Sequence, residues 1–361
     1  MMTSTYASMF GGCLGKLAPE RPSPVSTLAA NGYRTGAFST SPLLSRTYGY
    51  DRGFHHFSDL APDEKDPALR QMRGGQRLLR TPLTHRLSGL VGKQTRPAKI
   101  YVTAEDLTTA ACQWMGQTSE PFFAWVHFMD VHWPYHQEEK LQTPAEIAQA
   151  WRDLAHLYEV NWQGAPITDA QRDHYIRLYE DALIYTDQQV GRLLDYLETN
   201  ELMDNTVIVL VSDHGEEFLE HGRWGHWENN LYDEILRVPL IFRLPGHHGA
   251  RAVPRQVHTL DIMPTILDLC GCEPPDGMMG QSLRPLWTGQ DGAYTADIAV
   301  SEMWRDHWHI IAVRTEQFKY IWDSQEPDEP LLFDLLADPT EQQNVINEHL
   351  ETAARLHAEV E

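Results

Sequence analysis

Apolar residues recur along the chain in two alternating patterns: short runs of strand length, and longer stretches stepped by three and four residues. This alternation predicts an α/β fold, with a mixed, mostly parallel sheet flanked by helices. Pro24 to Asn31 predicts a short helix ended by Gly32, followed by a strand over Tyr33 to Ser39. Ala104 to Met115 predicts a second helix, its amino end served by Asp106 or the threonine before it. Phe122 to Met129 is a nearly continuous apolar run, suited to a strand covered on both faces. The longest helix is predicted over Asp169 to Asn200, where Tyr175, Tyr179, Ala182, Val190, Leu193 and Leu197 share one face. Thr206 to Val211 is rich in β-branched residues and is expected to be a central strand buried in parallel sheet. Leu236 to Arg243 predicts the next strand, stopped by Pro245-Gly246, and Asp261-Ile-Met-Pro264 opens another helix.

After about Gly292 the texture changes to short strands, Ile298 to Met303, His309 to Arg314, Lys319 to Trp322 and Leu331 to Asp334, with a closing helix from Glu341. The domain reading is therefore a catalytic-type α/β domain over 1–292 and a small antiparallel α+β subdomain over 293–361. The stretch 61–97 is polar and arginine-rich without clear periodicity, expected to be a surface excursion or lid, and 137–168 is read as a second loop. As loops they are the candidates for setting specificity. Trp151 and Trp162 in the second could stack on a sugar ring, although packing is the commoner use of such residues.

Composition narrows the function classes. The 361 residues carry 51 acidic against 29 basic side chains, a formal net charge of −22, and the basic set is 23 Arg to 6 Lys. Such a balance argues against a nucleic-acid partner, which needs a basic footprint. An anionic substrate stays open, because a bound metal ion inverts the local field. Cys13, Cys112, Cys270 and Cys272 are too few for a disulfide framework and have neither CxxC nor zinc-knuckle spacing. No apolar run is long enough for a membrane segment, and Met1 to Gly12 shows no basic and apolar leader pattern, so a cytoplasmic location is the default expectation.

The segment carrying the most chemistry is Ser212-Asp213-His214-Gly215-Glu216-Glu217, directly after the predicted strand. Ligands of open α/β sheets bind outside the carboxyl ends of strands. An Asp–His pair there offers a hard oxygen and an imidazole nitrogen, which suits a divalent metal, and Gly215 allows a sharp turn. Taken alone, the pair is more readily an ordinary turn with an Asp capping the next helix. His221, His226 and the acidic Glu216, Glu217 and Glu220 gather in the same stretch and change that balance.

Taken together, Ser212 to Glu217, Glu220-His-Gly222, His226, Leu231 to Glu234 and Arg237-Val-Pro-Leu-Ile241 resemble the C-terminal metal motif of sulfatases, within the alkaline phosphatase superfamily. Trp125 to Tyr135, with its His132-Trp-Pro-Tyr135, is similar to the family's strand ending in a histidine before Pro-Tyr. Asn31 to Phe38, Gly53-Phe54, Tyr179 with Asp187 and Gly191, Asp261 to Thr265, Gly280 to Leu283 and Phe333 to Asn344 continue the resemblance in order. It implies an alkaline-phosphatase-like fold and a metal-dependent hydrolase of sulfate esters, acting on a small-molecule or glycan sulfate ester. Asp213 and His214 would be metal ligands, His132 a donor to the sulfate or leaving-group oxygen, and His226 the residue that clamps the anion. Relatives commonly use calcium, while the histidine ligand keeps manganese and zinc open. His221 is expected to be structural and His127 a core histidine.

One part of the family pattern has no counterpart here. The Cys/Ser-x-Pro-Ser-Arg signature is absent, Ser8 to Gly12 matches only the end of that helix, and counting back puts the nucleophile position on Met2. The paired acidic ligands of the first strand are also absent. The resemblance thus implies half of a metal site, and a chain inactive by itself, from either a late start or a decayed relative. The intact downstream residues favour the late start. A phosphodiester or phosphonate monoester hydrolase of the same superfamily, and a non-catalytic fragment, are the alternatives.

Overall fold

The computed structural model describes residues 1–10, 16–41, 43–59, 102–137, 140–226, 230–247, 249–305 and 307–360; the excursion expected over 61–97 lies outside them. In chain order the first half comprises α1 (Pro24–Ala30), β1 (Arg34–Ser39), β2 (His56–Asp59), α2 (Ala104–Met115), β3 (Phe122–His127), α3 (Pro144–Gln163) and α4 (Asp169–Thr199). Then come β4 (Ile208–Val211), β5 (Glu217–Phe218), β6 (Trp224–Gly225), α5 (Asp233–Leu236), β7 (Leu240–Arg243), α6 (Ile262–Leu269) and α7 (Pro285–Thr288). The last stretch holds β8 (Ala299–Arg305), β9 (Trp308–Arg314), β10 (Phe318–Asp323), β11 (Leu331–Asp334) and α8 (Leu350–His357). These elements form two compact units, one of Met1–Tyr33, Thr47–Gly53 and Leu202–Glu361, the other of Arg34–Arg46 and Phe54–Glu201.

The second unit is built on a parallel sheet of order β2-β1-β3, with Gly36 in register with both His56 and Ala124. β1 is buried from Thr35 onward, and α2 packs on it through Trp114. Gly36 makes that packing possible, since a Cβ there would meet the Trp114 ring at 2.7 Å. β3 is half-buried at all six positions rather than covered on both faces. Most of 137–168 is a helix, α3, started by a capping box between Thr143 and Glu146 with proline at its first turn, and closed by Gly164 at φ 67°. The long helix α4 begins on a second capping box, Thr168 with Gln171. Asp153 of α3 accepts from His174 Nε2 of α4 at 2.9 Å and pairs with His136 at 3.3 Å, tying both helices to the segment after β3.

In the first unit β4 pairs antiparallel with β7, from Ile208↔Arg243 to Val211↔Leu240. The expectation of a buried parallel strand is corrected: Leu210 and its partner Ile241 are 38% and 58% exposed. A β-branched run specifies extended backbone but does not specify the neighbour that covers it. The carboxyl-terminal strands form an antiparallel sheet of order β11-β10-β9-β8. Successive residues of β9 point to opposite faces. Ile310 and Ala312 join Leu231 and Phe333 in one core, and Ile311 and Val313 join Ala353 and Leu356 of α8 in another. The closing helix starts at Leu350, not Glu341, because Asp338 accepts the N–H groups of Gln342 and Gln343 in a turn and Glu341 sits at φ 55°. Among the described residues no helix is long and apolar enough to cross a membrane.

Candidate active site

The segment after β4 folds back on itself through short hydrogen bonds. Ser212 Oγ donates to the His214 carbonyl at 2.7 Å, and the His214 N–H donates to Asp213 Oδ1 at 3.1 Å. His214 Nδ1 donates to the Gly215 carbonyl at 2.8 Å, which fixes the tautomer and leaves the lone pair on Nε2. That Nε2 stands 3.9 Å from Asp213 Oδ2, and the two side chains are 35% and 53% exposed. The separation is too long for a direct hydrogen bond, and a divalent cation held there would take one oxygen donor and one nitrogen donor. Gly215 is required for closeness rather than for an unusual φ. A Cβ there would stand 1.9 Å from the Glu234 carbonyl oxygen, and the Gly215 N–H donates to the Ile235 carbonyl at 2.8 Å.

His226 comes to the same place: its ring centroid lies 4.1 Å from that of His214. Buried Glu216 holds His226 Nδ1 at 3.1 Å. Burial, the largest influence, pushes the His226 pKa down, but the Glu216 hydrogen bond and charge, with Asp213, together hold it above the ordinary value. The sequence placed Glu216 in an acidic cluster without assigning it a partner; it is the residue that anchors His226. Glu217 is fully buried and accepts from His221 N–H at 2.9 Å, Arg223 N–H at 2.8 Å and the Asn230 amide. It closes the β5–β6 hairpin, and burial raises its carboxyl pKa despite the first two bonds. His221 bonds the Glu234 carboxylate and the Glu341 carbonyl while stacking on Tyr232 at 3.6 Å, so its place is structural, as expected.

His132 belongs to the other unit. Its N–H donates to the Met129 carbonyl at 3.1 Å, and its Nδ1 donates to the Trp133 carbonyl at 2.7 Å, anchoring the ring. Tyr135 fixes the turn that follows, 1% exposed and edge-on to Tyr179 of α4 at 5.6 Å. Beside it, Trp133 lies 6.4 Å from Trp162, which stacks on Tyr158 at 4.6 Å and is 54% exposed. Trp162 is thus the member of this group most open to solvent. His127 is half-buried on β3, 3.4 Å from Ser39 Oγ.

The donor chemistry of Asp213 and His214 fits a divalent cation: one carboxylate oxygen, and one imidazole oriented through its other nitrogen. The number of donors falls short of a closed site, since no group of three His, Cys, Asp or Glu able to hold a metal occurs among the described residues. Asp213, His214 and His226 are brought together, and Glu216 completes the set.

Comparison with known proteins bears on the family of the chain as a whole. A family model described as Sulfatase matches residues 1–272, and one described as N-sulphoglucosamine sulphohydrolase, C-terminal, matches residues 220–361. An N-acetylglucosamine-6-O-sulfatase of Bacteroides thetaiotaomicron is 30% identical over 222 residues, 56% of this chain and 38% of that protein. A choline-sulfatase of Rhizobium meliloti is 30% identical over 199 residues, 52% of this chain and 36% of its own length. The chain thus spans well under half the length of these two relatives. Among solved structures, a phosphonate monoester hydrolase of Agrobacterium radiobacter has TM-score 0.69 at 22% identity, covering 96% of this chain and 80% of its own; this likeness concerns the fold. With one family model running over most of the sequence and the motifs falling in order along it, the chain belongs to the sulfatase family.

Proposed function

We propose that this chain contributes to a divalent-cation-dependent hydrolase of sugar sulfate esters. The observation that carries the reading is the convergence of Asp213 Oδ2 and His214 Nε2, with the His226 ring 4.1 Å from that of His214. Asp213 and His214 hold the cation. A bound divalent ion supplies positive charge to an oxyanion ester. Calcium follows from the family, and the imidazole donor suits manganese or zinc as well. His226, whose pKa the Glu216 hydrogen bond and charge raise, donates to the sulfate oxygens, where charge develops during transfer. The family resemblance gives His132, whose Nδ1 donates to the Trp133 carbonyl, the role of proton donor to the leaving oxygen. A sugar leaving group is supported by exposed Trp162, with half-buried Tyr158 and Trp133 next to it, and by the substrate in the name of the Bacteroides relative.

The nucleophile is not identified among these residues, so the test uses the complete natural reading frame, including any in-frame codons ahead of Met1. Sulfate release from N-acetylglucosamine-6-sulfate and from 4-nitrophenyl sulfate is the expected result, abolished by chelation and lowered on the order of 10²-fold or more by Asp213→Asn. Cleavage of phenylphosphonate monoesters without sulfate release would move the assignment to phosphonate hydrolysis. Turnover of neither ester class would overturn the enzymatic reading.

A further inference from the structure

Lys319 of β10 is fully buried, yet it carries a charge with no role in the site described above. Its ammonium lies 3.0 Å from Asp233 Oδ1 and 2.8 Å from Glu341 Oε1. Arg314, at the end of β9, donates from Nε and Nη2 to the two Asp233 oxygens at 3.1 and 2.9 Å. The Asp233 N–H in turn donates to Glu341 Oε2 at 2.6 Å. Two cations thus face two carboxylates. A non-glycine residue is held at φ 55° to complete the set, and such strain persists only where the surroundings fix it. Burying ions at this cost is weak evidence for stability, so a demand on position is the better explanation.

The demand is visible one turn away. Asp233 opens α5, and that turn's Ile235 carbonyl takes the Gly215 N–H while its Glu234 carbonyl occupies the space a Cβ of residue 215 would need. A second strut runs in parallel: His221 bridges the Glu234 carboxylate and the Glu341 carbonyl. We propose that Lys319 and Arg314, acting through Asp233 and Glu341, are positioning residues that hold α5 against Gly215 and so aim the Asp213–His214 pair. On this view the carboxyl-terminal sheet is part of the site's support rather than an appendage. The inference rests on the metal reading of that pair for its functional consequence, and on the Gly215 contact for its mechanical one.

The test measures both. Calcium chloride and manganese chloride are titrated calorimetrically into the full chain, and exchange of the Gly215 amide is followed in parallel. Asp233→Asn is expected to weaken cation binding by about tenfold or more, the size usual for a supporting residue of a metal site, and to speed Gly215 exchange. Arg284→Gln, which removes an exposed ion pair with Asp268 in the same unit, is expected to change neither. If Asp233→Asn does not fold, the charge-balanced double substitution Lys319→Met with Glu341→Gln carries the test, with the same expected losses. A folded variant whose cation affinity and Gly215 exchange both match the parent overturns the proposal. A parent chain that takes up neither ion overturns the metal reading instead, and Gly215 exchange alone then decides the positioning claim.

Discussion

At the scale of single residues, the site separates ligation from stability. Asp213 and His214 are half-exposed and bond mainly to their own turn, so removing either side chain deletes a donor without opening a cavity. His214→Ala is therefore expected to lose cation binding more than tenfold while shifting unfolding free energy by no more than about 0.5 kcal/mol, checked by calorimetry and by urea melts. Gly215 behaves oppositely. Gly215→Ala drives a Cβ into the Glu234 carbonyl, a backbone atom that cannot swing away as a side-chain tip would, and overpacking of this kind costs about 1–3 kcal/mol. Its urea midpoint should fall, where that of His214→Ala does not. Trp162 offers a test of the sugar reading: Trp162→Ala is expected to weaken binding of the unsulfated sugar by about 3- to 10-fold, the worth of one aromatic contact, while binding of inorganic sulfate is unchanged. Tryptophan fluorescence titrations with each ligand read this directly, and equal effects on sugar and sulfate would remove the platform.

At the scale of elements, what the sequence made legible follows from what each pattern encodes. The face of α4 and the four strands β8 to β11 were readable because a helical or alternating period repeats long enough to stand above noise. The partner of β4 was not, since β-branched residues record a preference for extended backbone and say nothing about whether the neighbour returns parallel or antiparallel. α3 was passed over because its apolar face is thin and broken by Gln149, Arg152 and Asn161. Its start was nevertheless written in Thr143-Pro144-Ala145-Glu146, the capping-box pattern with proline at the first turn. In the site, the family resemblance is what singles out Asp213, His214 and His226 in the sequence. Glu216's grip on His226 and the ties from Asp233 to Lys319 and Arg314 were not legible, because those contacts cross 10 to 86 residues of chain. The capping box gives α3 a specific vulnerability. Thr143→Ala removes the acceptor for the Glu146 N–H, and the expected cost is about 1 kcal/mol, confined to the first turns of that helix. Hydrogen exchange should quicken over 144–150 and leave α4 unchanged; uniform quickening across both helices would show that the cap supports more than its own helix.

At the scale of the whole molecule, four carboxyls with shifted pKa values form two pairs that respond to pH with opposite sign. Burial pushes the Asp153 pKa up, but hydrogen bonds from His136, His174 and Gln149 outweigh it and leave it below the ordinary value. Asp233 follows the same logic: burial opposes, and Arg314 with Lys319 prevails. A carboxyl whose folded pKa is depressed contributes stability that is present above its unfolded pKa, near 4, and is lost as pH falls through the folded value. Glu217 and Glu341 behave the other way. Burial raises both, and for Glu341 the nearby Lys319 only partly offsets it. Their protonation favours the folded chain, so their contribution is present at low pH and fades as pH rises through the raised folded values. The net charge of −22 at pH 7 acts in the same direction as the second group, because self-repulsion falls as pH approaches the isoelectric point near 5.2. Thermal stability is therefore expected to peak on the acid side of neutrality, between the ordinary carboxylate range and pH 7, and to fall steeply below about pH 4. Thermal melts from pH 3.5 to 8 locate the peak. Repeating them in about 0.5 M salt separates the causes, since screening removes the surface repulsion but acts weakly on Glu217 and Glu341 in the interior. An acid-side peak that survives in salt assigns it to the two buried glutamates, one that moves to neutral pH assigns it to surface charge, and a peak at or above pH 7 at low salt contradicts both.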